Sequence, residues 1–323
     1  MKGKTSLILF VVFVHQIIKA QDNNDLSFFS NPVFVNPAYS GTKTDNKASY
    51  LNRFSAYRYL NFEHGTSVIS GVSYDQYAHK LGGGIGIDYQ KINHYGGFFN
   101  SDILKFNYSY FTKVNNSISL HSGVQLGIEN RAFQYVRAGF PDFSKMDPIY
   151  FGYQQEPINQ NSKVLPLLGL GCLIQGKSFN AGFSFSNLNQ PNWSFYRNES
   201  IKKPLKIQGN AALFLLNKFR NNKVIKLDLI SYYSIQNNYE SVIVGLQGVY
   251  GKLTFDIAYN NNETYKIKQH IGFGTIGINT SKMIFKCGVQ QVSLTRKDLY
   301  PFFSFNYLIK NKKQLHSTIF NLK

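Results

Sequence analysis

The chain has 323 residues and a formal net charge of +18, but only 16% of its residues are charged, against about 25% in an ordinary soluble domain. It is 43% hydrophobic, with 28 Phe and 22 Tyr, a composition that favours strands over helices. The Lys and Arg residues are scattered, without a basic helix or a zinc spacing, so the charge does not indicate nucleic-acid binding. In an exported protein it favours contact with lipopolysaccharide phosphates, an acidic partner or a basic pore lining.

Residues 1–20 are predicted to be a cleaved signal peptide. Two early lysines precede an apolar run that ends at Val14, and Ala20 lies at the predicted cleavage site. The run is too short for a membrane helix, and no other segment has the roughly 18 apolar residues that such a helix needs. If the mature chain enters a membrane, it must do so as a barrel, because only a closed barrel pairs all of its strand backbone groups there.

Residues 21–45 are predicted to form a periplasmic segment that carries the motif Asn-Pro-Ala-Tyr-Ser-Gly at 36–41. Pro32 and Pro37 fix their own φ and push the preceding asparagines out of the helical region. The Ser40-Gly41 pair supplies a turn. These constraints predict a rigid, extended segment and exclude helix.

A rigid, extended peptide loses little entropy on binding, so the motif is a candidate docking or plugging element at the periplasmic mouth. Tyr39 would be its anchor, because it has a large apolar ring and a single hydroxyl to satisfy. The alternative is that the segment only positions the first strand. The candidate partner-binding residues are Asn36, Pro37, Tyr39 and Gly41.

From about residue 46 onward, the sequence alternates with a period of two in segments of about ten residues, which is typical of a transmembrane barrel. In the clearest segment, Val124 belongs to an apolar face suited to lipid and Gln125 to a polar face suited to water. The predicted strands lie near 46–58, 65–77, 82–92, 99–113, 117–130, 164–175, 178–187, 206–218, 223–235, 238–249, 252–260, 266–279, 282–294 and 301–309.

The connections favour a barrel over a soluble sandwich. With the N-terminus in the periplasm, the even-to-odd connections are short, and both long ones, Arg131–Lys163 and Leu188–Leu205, lie on the opposite side. A barrel with short periplasmic turns and long outer loops requires this parity. The predicted fold is therefore all-β, a transmembrane antiparallel β-barrel of about 14 strands over residues 46–309. Residues 310–323 are predicted to be a basic tail or a last strand, and the final strand could be displaced to Leu315–Leu322.

Motifs that could carry chemistry fail in their context. Gly272 to Gly277 matches a dinucleotide fingerprint as a string, but it lies inside a predicted strand with no helix after it. His64, His79 and His94 lie near acids at strand ends, where solvation explains them, and no Gly-x-Ser-x-Gly motif accompanies them. No pair of His or Cys has metal-ligand spacing. We predict no catalytic residue, no cofactor and no metal.

Three further features concern the predicted wall. The stretch Gly82–Gly86 indicates close strand packing or a bend. Cys172 and Cys287 could form a disulfide or remain free thiols on a lipid-facing surface. Aromatic residues near strand ends predict the interfacial girdles of a barrel. These residues are Tyr57, Tyr59, Phe62, Tyr74, Tyr77, Phe98, Phe99 and Tyr110.

The motif at 36–41, which follows Phe28-Phe29 near the mature N-terminus, resembles the opening of the PorP/SprF family of type IX secretion system outer-membrane proteins. More diffuse features resemble the family in its order along the chain. They are Arg53, Ser73-Tyr74-Asp75, Gly82–Ile87, Leu104–Tyr110, Asp147-Pro148 and Ser186-Asn187-Leu188. The end departs from the family, which tends to close with a Gly-Ser-His-Glu-like segment, whereas this chain ends in a lysine-rich stretch.

The resemblance implies a non-enzymatic component of type IX secretion and gliding systems in the outer membrane of a diderm bacterium. It implies other secretion components and an adhesin-like cargo protein as partners, beside outer-membrane lipid and lipopolysaccharide. Two other classes remain open, a general outer-membrane porin or solute channel and an outer-membrane hydrolase. Ion conductance would favour the porin, and loss of surface adhesin on deletion would favour the secretion component.

Overall fold

The structure is a computed structural model, and it describes the chain in ten stretches. No helix among these residues is long and apolar enough to cross a membrane. The described residues are 26–42, 51–61, 67–94, 99–133, 162–195, 199–220, 223–264, 267–280, 283–292 and 299–310.

The wall consists of strands that agree with the predicted ones to within a few residues at most ends. They are β1 (Leu51–Asn61), β2 (Ser67–Ala78), β3 (Gly83–His94), β4 (Phe99–Lys113), β5 (Ser119–Phe133), β6 (Ser162–Gln175), β7 (Phe179–Ser186), β8 (Lys206–Arg220), β9 (Lys223–Gln236), β10 (Tyr239–Tyr250), β11 (Leu253–Thr264), β12 (Ile267–Asn279), β13 (Met283–Val292) and β14 (Leu299–Lys310). The predicted start of β1 at residue 46 lies outside the described residues.

Each strand pairs antiparallel with its neighbours in sequence, and β1 pairs with β14 to close the barrel. The predicted class and the parity of the connections are confirmed, because both long connections follow an odd-numbered strand. The barrel closes on β14 itself. The alternative last strand at 315–322 lies outside the described residues.

Alternation along the strands separates an apolar outward face from a buried inward face. In β5, Val124, Leu126 and Ile128 are 45%, 56% and 51% exposed, whereas Gln125 is 4% exposed. The assignment of Val124 to the outward face is therefore correct. The inward face does not meet open water, however, because Gln125 donates to Asn107 (2.8 Å) in a buried polar layer.

The N-terminal segment lies inside the barrel. We call residues 26–42 the plug. It contains α1 (Ser27–Ser30) and two 3₁₀ helices, Pro32–Phe34 and Pro37–Tyr39. Every plug residue is buried except Pro32, which is half-buried. A barrel of this size has room for such a filling, because about eight strands are the most whose interior inward side chains alone can fill.

The expectation that helix is excluded from this segment was wrong. Asn31 and Asn36 are extended as predicted, with φ of −154° and −142°. Each proline, however, occupies the first position of a 3₁₀ helix, where its fixed φ fits and its missing N–H is not needed. Gly41, with φ of +64°, makes the predicted turn.

The predicted aromatic girdle is only partly correct. Tyr74 and Tyr110 lie on the outward face, and Tyr110 is 52% exposed. Tyr57 and Tyr59 instead point inward, with Tyr57 packing edge-to-face on Phe34 of the plug (4.7 Å between ring centroids). Tyr77 contacts the inward-facing Phe111 ring (5.2 Å), and Phe99 shares the inward parity of its strand. Phe62 and Phe98 lie outside the described residues.

Replacing Val124 with Arg is expected to destabilise the barrel by about 2–4 kcal/mol, because the charge would lie near the middle of the lipid-facing band. The matched control is Leu253→Arg, at the first residue of β11, where the outward side chain is 52% exposed and the cost should be about 0–1 kcal/mol. Urea unfolding in lipid vesicles measures both. Equal losses in the two variants would contradict the assigned depth.

The parity of the loops predicts the orientation in the membrane. An epitope tag inserted near Gln155, in the long connection after β5, should be accessible to antibody on intact cells. A tag at Asn115, in the short connection between β4 and β5, should become accessible only after the outer membrane is permeabilised. The opposite labelling pattern would reverse the orientation.

Candidate functional site

Two consecutive five-residue repeats, Asn-Pro-Val-Phe-Val at 31–35 and Asn-Pro-Ala-Tyr-Ser at 36–40, build the plug. In each, the asparagine caps a 3₁₀ helix. The Oδ1 atom of Asn31 accepts from the N–H of Val33 (3.1 Å), and that of Asn36 accepts from the N–H of Ala38 (2.9 Å). The cap leaves each amide NH₂ group free to bind the barrel wall. The side chain of each asparagine therefore both caps a 3₁₀ helix and binds the barrel wall.

The first asparagine binds a polar cluster on β1 and β2. The Nδ2 atom of Asn31 donates to the hydroxyls of Ser55 (3.2 Å) and Ser73 (3.0 Å). Beside them, Arg53 and Asp75 form a bidentate ion pair with two 2.9 Å contacts, and both side chains are at most 9% exposed. Such a pair is costly to break, because the remaining charge would be buried alone.

This ion pair also holds the end of the plug. The N–H of Gly41 donates to Oδ2 of Asp75 (2.9 Å), and Arg53 reaches the carbonyl oxygen of Tyr39 (3.5 Å). The hydroxyl of Thr42 donates to that same carbonyl (2.7 Å). The turn at Gly41 is therefore fixed to the wall by a charged acceptor, which makes a stronger hydrogen bond than a neutral one.

The second asparagine, Asn36, binds the wall on β6 and β7. We call the part of the inner wall that contacts the plug the seat. The Nδ2 atom of Asn36 donates to the carbonyl oxygens of Cys172 (3.2 Å) and Phe183 (3.3 Å), on β6 and β7. Wall hydroxyls satisfy two plug carbonyls, since Ser184 donates to the carbonyl of Val35 (2.7 Å) and Ser109 to that of Ala38 (3.0 Å). Few backbone groups in the middle of the plug are left unpaired.

Tyr39 is 6% exposed and packs with Ala38 and Leu173. Its hydroxyl donates to Oδ1 of Asn180 (3.3 Å) and accepts from Nδ2 of Asn210. Burial raises the pKa of the Tyr39 phenol well above its usual value, so the hydroxyl stays protonated while the plug is in the lumen.

Inward-facing glycines form a groove for the backbone of the plug. A Cβ atom at Gly123 would lie 2.6 Å from the carbonyl carbon of Pro37, and one at Gly171 would lie 3.0 Å from the Cδ atom of Pro37. At Gly182 it would lie 3.0 Å from Nδ2 of Asn36, and at Gly84 it would lie 2.9 Å from the backbone N of Gly41. The expected reason for the glycines at 82–86 was therefore incomplete, because Gly84 admits the plug.

The N-terminal end of the plug packs in an apolar region of the lumen. Phe28 stacks on Tyr232 (5.6 Å between centroids) and Phe29 packs on Phe273 (5.1 Å). Phe273 in turn meets Phe302 edge-to-face (5.0 Å). Such aromatic pairs add about 0.5–1.5 kcal/mol each beyond the area they bury.

The second long outer connection covers the other end of the lumen. Lys203 is fully buried and pairs with Glu129 on β5. Trp193 lies under the guanidinium of Arg131, 4.2 Å from its ring centroid. A small cavity of about 40 Å³ remains between the plug residue Val35 and Lys203. Among the described residues, the plug and this loop thus border the same small cavity.

In the described part of the chain, the acids considered for catalysis have other partners, Arg53 for Asp75 and Asn107 for Asp88. Asp75 and Asp88, the acids near His79 and His94, are buried on the inward face rather than solvated at loop ends, and Asp88 accepts from Asn107 (2.7 Å). His64 lies outside the described residues. No group of three His, Cys, Asp or Glu in the described part of the chain could hold a metal ion.

Two other wall features are resolved. Cys172 and Cys287 are free thiols, and both belong to the outward-facing set of their strands. Gly272 and Gly274 lie inside β12, as predicted, and nothing lies within 4 Å of a Cβ atom built on either.

Comparison with solved structures finds barrels at low identity. The toluene transporter TbuX of Ralstonia pickettii is 10% identical with a TM-score of 0.44, over 92% of this chain and 96% of that one. The outer membrane protein Omp33 of Acinetobacter baumannii is 6% identical with a TM-score of 0.44, over 81% of this chain and 99% of that one. No protein of curated function matches the chain significantly.

Comparison with protein families gives a match over most of the sequence. The matching family is described as type IX secretion system membrane protein PorP/SprF, and the match covers residues 17–290. It includes the whole plug and every strand from β1 to β12. The chain therefore belongs to the PorP/SprF family of type IX secretion system membrane proteins.

Proposed function

We propose that the protein is a non-enzymatic outer-membrane component of the type IX secretion and gliding machinery that supports the secretion or surface attachment of an adhesin-like cargo. Family membership over residues 17–290 is the observation that carries the proposal. That membership and the closed barrel support a location in the outer membrane. Its partners would be other secretion components and the cargo.

Within this function, we propose that the plug is a releasable docking element. Asn36, Pro37, Tyr39 and Gly41 are buried against the wall, so a partner could use them only after the plug leaves its seat. The contacts in the seat are compatible with release. Hydrogen bonds and backbone packing hold these residues, and a partner could supply equivalent contacts in place of those with the wall. The same side chains would then bind the wall in one state and the partner in the other.

A passive porin is the alternative function. A solute channel needs an open lumen, and the buried plug argues against one in this state. If the plug left the lumen, the barrel would be wide enough to conduct ions. Conductance therefore shows whether the plug occupies the lumen. It does not by itself distinguish a porin from a secretion component.

Deletion of the protein tests the secretion role. The expected result is loss of adhesin-like protein from the cell surface, while an outer-membrane barrel outside this system is still assembled. The expected result for the purified wild-type barrel in a planar bilayer is little or no conductance. Normal surface display in the deletion strain, together with a steady conductance of the wild-type barrel, would favour the porin.

Tyr39→Ala tests the docking role. We expect the barrel to assemble, as judged by heat-modifiable migration on a gel, and cargo display to fall, because the proposed anchor is lost. The control is Tyr233→Ala, on the outward face of β9, where the side chain is 37% exposed. An unassembled Tyr39→Ala barrel would assign the residue to folding alone, and normal assembly with normal display would contradict the docking role.

A further inference from the structure

A depression on the outward face of the barrel has the features of a binding site for an amphiphile. It has a volume of about 390 Å³ and crosses β14, β1 and β2 beside the barrel closure. Small residues, Ala56, Ser70 and Gly71, form its base. Phe303, Phe285, Val72 and Tyr89 form its sides and are 38–48% exposed.

One end of this depression carries positive charge. Arg58 lines it and is exposed on the outward face. An arginine on the lipid-facing side of a barrel is costly near the bilayer middle unless it reaches the interface or an anion. Among the described residues, no carboxylate lies within ion-pair distance of Arg58.

Strand register places a second cation on the same cross-strand row as Arg58. Arg58 lies opposite Ser70, Ser70 opposite Lys91, and Lys91 opposite Asp102. Asp102 contacts Lys91 (3.4 Å) and accepts from the hydroxyl of Tyr89 (2.6 Å), which lines the depression. The row of Arg58, Lys91 and Asp102 has a net positive charge.

This row lies near the outer ends of its strands. Arg58 is three positions before Asn61, where β1 ends, and Lys91 is three positions before the end of β3. Three residues correspond to roughly 10 Å along a strand. Because barrel strands are tilted by about 40°, this is roughly 7–8 Å along the bilayer normal, which is close to the reach of an extended Arg or Lys side chain. The cations therefore reach headgroup level, with the apolar depression beneath them.

We propose that this depression binds a lipopolysaccharide molecule through its lipid A, with an acyl chain over Ala56 and one phosphate on each of Arg58 and Lys91. The two cations are two strand spacings apart, roughly 10 Å. That separation suits a headgroup with two phosphates better than one with a single phosphate. The outer leaflet, which these side chains reach in the assigned orientation, is where lipopolysaccharide resides.

Native mass spectrometry of the purified full-length barrel with bisphosphorylated lipid A tests the site. We expect one lipid A to be retained, and Arg58→Gln to weaken binding by about tenfold, the usual effect of losing a charge-assisted contact. Ala56→Phe should weaken binding by filling the depression while keeping every charge. The matched control, Lys252→Gln, removes an exposed lysine at a turn at the opposite end of the barrel and should bind like the wild type.

Heat-modifiable migration shows that each variant has assembled before binding is compared. Equal binding by wild type, Arg58→Gln and Ala56→Phe would overturn the site. Equal binding of phosphatidylglycerol and lipid A to the wild type would overturn the assignment to lipopolysaccharide. Binding that survives removal of both phosphates from lipid A would overturn the role of the two cations.

Discussion

Asp75→Asn is expected to release the plug. The carboxylate of Asp75 accepts two 2.9 Å contacts from Arg53 and one from the N–H of Gly41, and it is 1% exposed. Without it, the Arg53 charge would be buried without its partner, which costs about 3–5 kcal/mol. The chain can avoid that cost by unseating the plug and admitting water. The purified variant should therefore conduct ions in a planar bilayer where the wild type does not.

Asp102→Asn is the matched control for this prediction, because it removes the same charge from a pair whose two side chains are 49% and 32% exposed. An exposed pair contributes about 0–1 kcal/mol, so conductance and thermal stability should stay near those of the wild type. If Asp75→Asn were as silent as Asp102→Asn, the pair with Arg53 could not be what holds the plug.

Gly123→Val is expected to exclude the plug from its groove. A Cβ atom at this position would lie 2.6 Å from the carbonyl carbon of Pro37, and the atoms nearest to it are all backbone atoms of the plug, which cannot move aside as a flexible side chain could. Overpacking of this kind costs about 1–3 kcal/mol or more. The wall itself should still form, because valine is a good strand residue. We expect an assembled barrel with raised conductance and reduced resistance of residues 26–42 to added protease.

Gly272→Val is the control, since nothing lies within 4 Å of the added Cβ atom on the outward face of β12. It makes the same chemical change in a strand and should leave the lumen closed. A closed, protease-resistant plug in Gly123→Val would show that the glycines do not form the seat.

The wall could be predicted because a strand repeats every two residues, and each strand shows the repeat by itself. Val124 and Gln125 reveal their faces without knowledge of any partner strand. The two prolines likewise fixed the backbone of the asparagines before them. Fourteen strands with short turns on one side then left few alternatives.

The seat of the plug could not be predicted in the same way. Gly123 and Gly171 face the plug only because of how a segment more than 80 residues earlier in the chain enters the lumen. A glycine in a strand has the same local pattern whether it admits a bend or another backbone. Tyr57 and Tyr59 were assigned to a girdle for a related reason, because an aromatic residue near a strand end suits either lipid or an apolar lumen.

Residues 26–42 occupy the lumen, and a cysteine pair between the plug and the wall tests that position. A Cβ atom at Gly86 would lie 3.6 Å from that of Ser40, within the range of a disulfide. Ser40→Cys with Gly86→Cys, in a chain with Cys172→Ser and Cys287→Ser, should cross-link under mild oxidation in whole cells. Ser40→Cys with Gly272→Cys should not. If both thiols of the first pair stayed reduced in an assembled barrel, the plug would not lie where the structure has it.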